Sequence, residues 1–306
     1  MSVFFRLNLP AVLSLLLLMG CADAGEADRV LTPVEEDVSS WSEDAGLDDA
    51  FEEDALPEEV TDTVVREDVD EPGALCRPNR DGVIERFEMP LKVGQHATFK
   101  IGKNAAVDTG GELVDGKQTW DLSADLAGDW RELLELRDPS TKWFGPRFPE
   151  ATYFTRLGSS TDLYGVFRID DEALSLLGVV SEEDGLWRTE LSYDPPVDVV
   201  RFPFEEGTSW HTSARVTGLA TGVTVLYDEN YTYTVDRSGE LRTPFGDFEV
   251  LRIRAELERV VGFVTTRVRT YLFAAECFGT VATIVSKDNE SDVEFTEASE
   301  VRRLAP

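Results

Sequence analysis

The 306-residue chain is poor in the residues that build most metal and nucleophilic sites: it has three cysteines, three methionines and two histidines, His96 and His211. Metal centres made of several imidazoles or thiolates are excluded by count. A Ser-His-Asp triad would have to recruit one of the two imidazoles, and no serine stands in a sequence that suggests a strained nucleophile turn. Gly-x-Ser-x-Gly, His-Glu-x-x-His, Walker and Gly-x-Gly-x-x-Gly motifs are all missing. Bases are scarce as well, with 29 Lys plus Arg against 60 Asp plus Glu, a formal charge of −31. Such a field repels phosphate backbones and anionic head groups, which argues against nucleic-acid partners and against electrostatic adhesion to membranes.

What charge there is falls unevenly. Residues 22–75 hold 20 acids and only two bases, Arg29 and Arg66, so −18 of the total sits in 54 residues. The first 21 residues carry only Arg6, which leaves −14 for residues 76–306. Met1–Arg6 is a short positive start, and Leu7–Leu18 is an apolar run of about a dozen residues, the length of an export-signal core and too short to span a bilayer. The run ends in Leu18-Met19-Gly20-Cys21, a small residue followed by cysteine. This stretch resembles the lipobox of bacterial lipoproteins. The resemblance implies a signal peptide over 1–20, cleavage before Cys21, and acyl chains, palmitate among them, that anchor the mature chain permanently. Ala22, where an Asp would mark inner-membrane retention, points by the same resemblance to the cell outer membrane. The alternative is an ordinary secretory leader with an incidental cysteine.

From Cys21 to Leu75 the sequence reads as acidic blocks, such as Glu35-Glu36-Asp37 and Glu52-Glu53-Asp54, interrupted by Pro33, Pro57 and Pro72. Low hydrophobicity and self-repulsion predict a disordered tether, about 40 Å across as a neutral coil and longer when charged. Trp41, Leu47, Phe51, Leu56 and Val64-Val65 are sporadic apolar positions in that spacer, or short binding motifs.

Two thiols remain, Cys76 and Cys277. In an oxidising compartment an even pair predicts a disulfide, and the alternative is two buried free thiols. Residues 77–88 (RPNRDGVIERFE) look like a degenerate EF-hand or dockerin-type calcium loop. Asn79, Asp81, Val83, Glu85 and Glu88 fall at the third, fifth, seventh, ninth and twelfth positions, with Gly82 at the turn. Arg77 occupies the first ligand position, and three arginines cancel Asp81, Glu85 and Glu88, so a metal-free turn is preferred to weak calcium binding. No other cofactor is expected.

From Leu91 on, the dominant period is two. Leu251, Ile253, Ala255 and Leu257 alternate with Arg252, Arg254, Glu256 and Glu258, and Val225, Tyr227, Tyr231 and Tyr233 alternate with polar residues. Turn signals include Asp184-Gly185, Asp194-Pro195-Pro196, Ser238-Gly239, Pro244-Phe245-Gly246 and Lys287-Asp288-Asn289. The expectation is one all-β domain over 91–306, following a turn region at 76–90. It is read as a large curved antiparallel sheet, half-barrel, barrel-like or sandwich, of about ten to twelve strands. Short helices are expected at Asp129–Leu136, with Asp129 as cap, and, in competition with a strand, at Asp171–Leu177.

The segments Tyr193-Asp194-Pro195-Pro196, Arg201-Phe202-Pro203, Gly207-Thr208-Ser209-Trp210, 243–250 and Phe278-Gly279-Thr280-Val281 are similar to those of uncharacterised myxobacterial-type lipoproteins. That similarity covers about the last two-thirds of the chain and speaks to fold. In architecture alone, the pattern resembles lipoprotein carriers of the LolA and LolB type, which implies a curved sheet around acyl chains.

These readings lead to an envelope lipoprotein whose β domain binds or supports something without turnover. The partner is either an apolar or lipid ligand held by the sheet, or another envelope protein met by the charged face of Arg252, Arg254, Glu256, Glu258, Arg267 and Arg269. A carboxylate-dependent hydrolase ranks third. His211 is expected on the polar face, Trp120-Asp121 is read as structure before sugar site, and Trp143, Phe144, Phe148, Tyr153 and Phe154 as core before ligand mouth.

Overall fold

A computed structural model describes residues 76–158 and 162–306. The leader, Cys21 and the acidic tether lie outside the described residues. In chain order the strands are β1 (Val83–Ile84), β2 (His96–Ala106), β3 (Glu112–Val114), β4 (Lys117–Asp121), β5 (Trp130–Glu135), β6 (Tyr153–Arg156), β7 (Leu163–Ile169) and β8 (Ala173–Ser181). They continue as β9 (Glu190–Arg201), β10 (Phe204–Glu205), β11 (Ser209–Ala220), β12 (Val223–Arg242), β13 (Asp247–Val261), β14 (Val264–Ala275), β15 (Gly279–Ser286) and β16 (Glu297–Ala305).

Twelve of these form one antiparallel circuit, β5-β2-β16-β15-β14-β13-β12-β11-β9-β8-β7-β6. Its two edges meet just after β5, where Arg137 and Phe154 exchange both backbone N–H···O bonds at 2.9 Å, so the sheet is nearly closed into a barrel. Closure removes most of the unpaired edge that a sheet of this size would otherwise expose. The period-two pattern accounts for the sidedness. Tyr227, Glu229, Tyr231, Tyr233 and Val235 of β12 face inward with Leu257, Ala255 and Ile253 of β13, their register partners or near neighbours, while the intervening residues face out.

Two segments thicken the wall from outside. Residues 139–151 fold over β6–β8 and bury Phe144, Phe148, Phe154, Tyr164 and Val166 in a second, smaller core. The β3–β4 hairpin joins the end of β12, β4 pairing parallel to it at Glu240–Arg242, and its Trp120 and Lys117 side chains reach Arg252 and Glu249 of β13.

Several expectations need correction. Trp130–Glu135 is a strand, not a helix: Leu134 pairs with Ala97 and Leu133 with Thr98. A leucine-rich, i,i+3-spaced stretch read as helical, but next to the free edge of β2 it completes the sheet, and Leu134 and Leu136 turn inward at spacing two. The carboxylate of Asp129 caps no helix; it accepts from the Leu126 N–H at 3.0 Å. Asp171–Leu177 resolves as the start of β8. Three single-turn 3-10 segments, at Arg86–Glu88, Pro139–Thr141 and Gly145–Arg147, are the helical content of the described residues.

Ser238-Gly239 is no turn but the interior of β12. A Cβ on Gly239 would stand 2.3 Å from the Gln118 carbonyl oxygen, so the glycine permits the close approach of β4. Asp194-Pro195-Pro196 likewise lies inside β9. There β8 pairs with 190–192 and again with 197–201, skipping the prolines that have no N–H to offer.

Successive turns of an antiparallel circuit alternate between its two ends. The β9–β11, β12–β13 and β14–β15 connections share one end with residues 76–95. The β8–β9, β11–β12, β13–β14 and β15–β16 connections share the other.

Candidate functional site

The interior is the first place to look for a ligand, because twelve strands enclose more room than an eight-stranded barrel whose side chains just fill it. Large residues occupy the described lumen. Trp210 stacks on Tyr233 with centroids 5.1 Å apart, Tyr233 on Tyr231 at 6.1 Å, and Tyr153 on Phe167 at 5.2 Å. Charge is buried there too. Arg259 Nε lies 2.6 Å from Glu229, which is fully buried and also accepts from the Tyr231 hydroxyl. Burial pulls the Arg259 pKa down, but the facing Glu229 carboxylate more than offsets it, so the net direction is up. Further round the wall, Arg302 Nε sits 2.5 Å from Glu300, which also pairs with Lys103, and Arg302 Nη2 donates to the Leu157 carbonyl at 3.0 Å. Burial raises the Glu300 pKa, but Arg302 and Lys103 outweigh it and hold the carboxylate low. The buried hydroxyls of Tyr233, Thr212 and Thr270 add to a lining that is aromatic and polar in turn, unlike an acyl-chain tunnel.

At the end where the described chain begins, Cys76 and Cys277 form a disulfide with Cα atoms 5.5 Å apart, joining residues separated by 201 positions. The calcium-like loop beside it spends its ligands on itself. Asn79 Oδ1 accepts from the Asp81 N–H at 2.9 Å, Asp81 Oδ1 from the Val83 N–H at 2.8 Å, and Glu88 Oε2 from the Glu85 N–H at 3.0 Å. Val83 enters β1, whose partner is β10. Glu88 is turned inward and burial raises its pKa, which disfavours the charged form a cation would need. Among the described residues no group of three or more His, Cys, Asp or Glu is placed to hold a metal ion.

Next to this loop runs a surface groove of about 350 Å³, lined by Arg80, Lys117, Phe245, Phe248, Glu249 and Phe278, among others. Lys117 Nζ stands 2.8 Å from Glu249 and Arg80 Nε 3.5 Å from the same carboxylate, which lowers the Glu249 pKa. The two cations are therefore already engaged.

The charged outer face departs from expectation at its centre. Arg252 is fully buried, not exposed. The 107–121 and 289–295 segments cover it, and its guanidinium lies over the Tyr271 ring at 4.2 Å and the Trp120 ring at 5.3 Å. It donates to both oxygens of Asp236 at 2.9 Å, to Glu294 and to the Thr109 carbonyl. Trp120 donates its indole N–H to the same carbonyl, and so is structural. Around it, Arg267 pairs with Glu258 at 2.7 Å and Arg269 with Glu256 at 3.2 Å, each with its cross-strand neighbour. A groove of about 330 Å³ follows this face past Asn230, Thr232 and Glu290. His211 is exposed on the outer wall, as its parity implied, 2.9 Å from the Ser213 hydroxyl, which donates to Asn230. His96 is exposed where β2 begins.

At the opposite end two hairpin tips are apolar and bare, beside the acidic β8–β9 and β15–β16 connections. Leu186 and Trp187 are 90% and 77% exposed, and Val223, Leu226, Val261, Phe263 and Val264 are exposed as well. The Gly222 N–H donates to the Arg188 carbonyl at 2.9 Å, tying the 182–189 loop to the β11–β12 turn. Trp187 stands at strand-like spacing with Thr189, Leu191 and Tyr193, yet it lies in the loop before β9 and is exposed.

The chain matches no protein-family model, no curated protein and no solved structure.

Proposed function

We propose that this protein is an acyl-anchored envelope lipoprotein, exported by its leader and held at the outer membrane through Cys21, whose β domain acts by binding at its outer surface and not by turnover. The filled lumen carries this reading. Stacked Trp210, Tyr233 and Tyr231 and the Glu229–Arg259 and Glu300–Arg302 pairs stand where a carried acyl chain would lie. A lipid there would have to displace paired charges, at several kcal/mol for each ion left uncompensated. The outer surface, by contrast, offers open grooves and exposed turns. The lipobox-like sequence supports anchoring, and the disulfide fits an oxidising compartment.

The test has two readings from one preparation. Delipidated protein should take up no fluorescent fatty acid, and crosslinking in intact envelopes should attach the domain to a reproducible membrane or protein neighbour through its surface. Saturable fatty-acid uptake would restore the carrier reading and end this one.

A further inference from the structure

At the end of the barrel remote from the disulfide, two hairpin tips have a composition unlike the rest of the domain. Residues 216–227 and 260–266 contain no Asp, Glu, Lys, Arg or His, in a chain of which 29% is charged. They form the tips of the β11–β12 and β13–β14 hairpins. Each tip outruns its neighbour on one side: β12 runs on past its last pair with β13, Asp228↔Val260, and β14 past Arg267, the last residue bonded to the 287–290 loop, whereas β11 is paired with β9 up to Leu219↔Glu190 and β13 with β12 up to Val260. Both turns are tight, with Thr221 and Gly222 at φ 47° and 76°, and Gly262 at φ 60°. A two-residue turn that begins with Gly262 asks nothing apolar of its second position, yet that position is Phe263, fully exposed. Leu186 and Trp187 extend the apolar set from the loop hydrogen-bonded to Gly222. Neither core packing nor turn chemistry uses these side chains.

We propose that these three turns dock into a lipid surface, with Leu186, Trp187, Val223, Leu226, Phe263 and Val264 entering the interfacial region. The side chains project in pairs from three separate turns. A bilayer accepts such tips without preformed sockets, whereas a protein partner needs a pocket for each and usually a charged or polar rim around them. Charge decides in the same direction. A domain of net −14 is repelled by anionic head groups, and its two uncharged hairpin tips are the part that can approach a bilayer, while Glu182, Glu183 and Asp184 beside Leu186 and Trp187 favour a neutral surface over an anionic one. Trp187 suits the interfacial layer, with an apolar ring and one N–H. The contact is additional to the acyl anchor and does not depend on it.

The experiment uses the full mature chain carrying Cys21→Ser, so that no acyl group contributes, floated with phosphatidylcholine vesicles and with vesicles containing phosphatidylglycerol. Co-flotation with the neutral vesicles is expected, insensitive to salt, with fluorescence quenched by brominated phosphatidylcholine. Trp187→Phe should abolish the quenching. Phe263→Ser combined with Leu226→Ser should lower partitioning about tenfold or more, while near-ultraviolet circular dichroism and melting temperature stay at the parent values. Absence of co-flotation, flotation unchanged in the double variant, or quenching that survives Trp187→Phe would overturn the proposal. So would a photocrosslinker at position 263 that captures one protein and no lipid in envelopes, or sedimentation showing that Phe263→Ser dissociates a dimer. Because this chain lacks the acyl group, these results are independent of whether Cys21 is modified.

Discussion

The two ends of the barrel solve opposite problems. At the end where the described chain begins, the Cys76–Cys277 disulfide and the β1–β10 pair tie the strand ends together, Arg80 and Lys117 pair with Glu249, and the apolar residues that show, Phe87, Val93 and Phe245, are only about half exposed. At the far end two hairpins run on beyond their neighbours and show bare apolar tips. The first end spends its side chains on holding the fold. The second holds side chains that the fold does not need. Exposed apolar residues in a group, unlike single ones, mark a surface with a use outside the molecule.

Perturbing each region in turn sharpens that contrast, and the largest effect belongs to the closed end. Reducing the disulfide, or replacing Cys76 and Cys277 together by Ala, should lower unfolding free energy by up to about 5 kcal/mol for a loop of this length, read from denaturant midpoints with and without reductant. The lumen comes next. Glu229→Ala leaves the Arg259 guanidinium buried without its carboxylate and should cost about 3 to 5 kcal/mol. The joint change Glu229→Leu with Arg259→Met should cost clearly less than the single one, and a double-mutant cycle measures the difference.

A smaller effect is expected at Glu182, which takes hydrogen bonds from Lys142 at 3.0 Å, Tyr164 at 2.8 Å and Arg137 at 3.1 Å. Those bonds, that of Lys142 first, hold its pKa down at about 2. A carboxyl depressed in the folded state contributes stability that is complete above its unfolded value, near 4.5, and lost as pH falls from there toward 2. The site is partly open to solvent, so screening reduces the contribution to about 1 kcal/mol. Glu182→Gln should remove that part of the acid-limb slope between pH 4.5 and 2 in melting experiments, and leave neutral-pH stability lower by the same amount. The smallest effect on stability belongs to the bare end. Phe263→Ser should change unfolding free energy by less than about 0.5 kcal/mol, since the side chain is fully exposed, even though together with Leu226→Ser it should lower vesicle partitioning. A Phe263→Ser protein that loses stability as a core variant does would erase the distinction between the two ends.

Much of this architecture is written in local sequence. Alternation along Leu251–Leu257 and Val225–Val235 gives strands and their inward faces, and counting thiols gives the disulfide, because both follow from period and compartment alone. What escaped depends on partners distant in sequence. Arg252 has the parity of an exposed residue and is buried because Thr109, Trp120 and Glu294, from both ends of the domain's sequence, close over it. Trp130–Glu135 carries a helical spacing that the vacant edge of β2 overrides. Gly239 resembles a turn residue and serves instead the approach of a backbone 121 positions away, that of Gln118. Nothing in the local sequence sets Phe263 apart, and only the pairing of Val261 with Val264, which puts it at an exposed turn, makes it part of a candidate contact surface.

If acyl chains on Cys21 hold the domain at the envelope, as proposed, its barrel carries no lipid within. Native mass spectrometry of the protein extracted from its own membranes tests this most directly. The predicted spectrum shows a chain beginning at Cys21 with covalent acyl mass, and no further lipid once detergent is removed. A chain with an unmodified Cys21, or one that retains a stoichiometric non-covalent lipid, would contradict it.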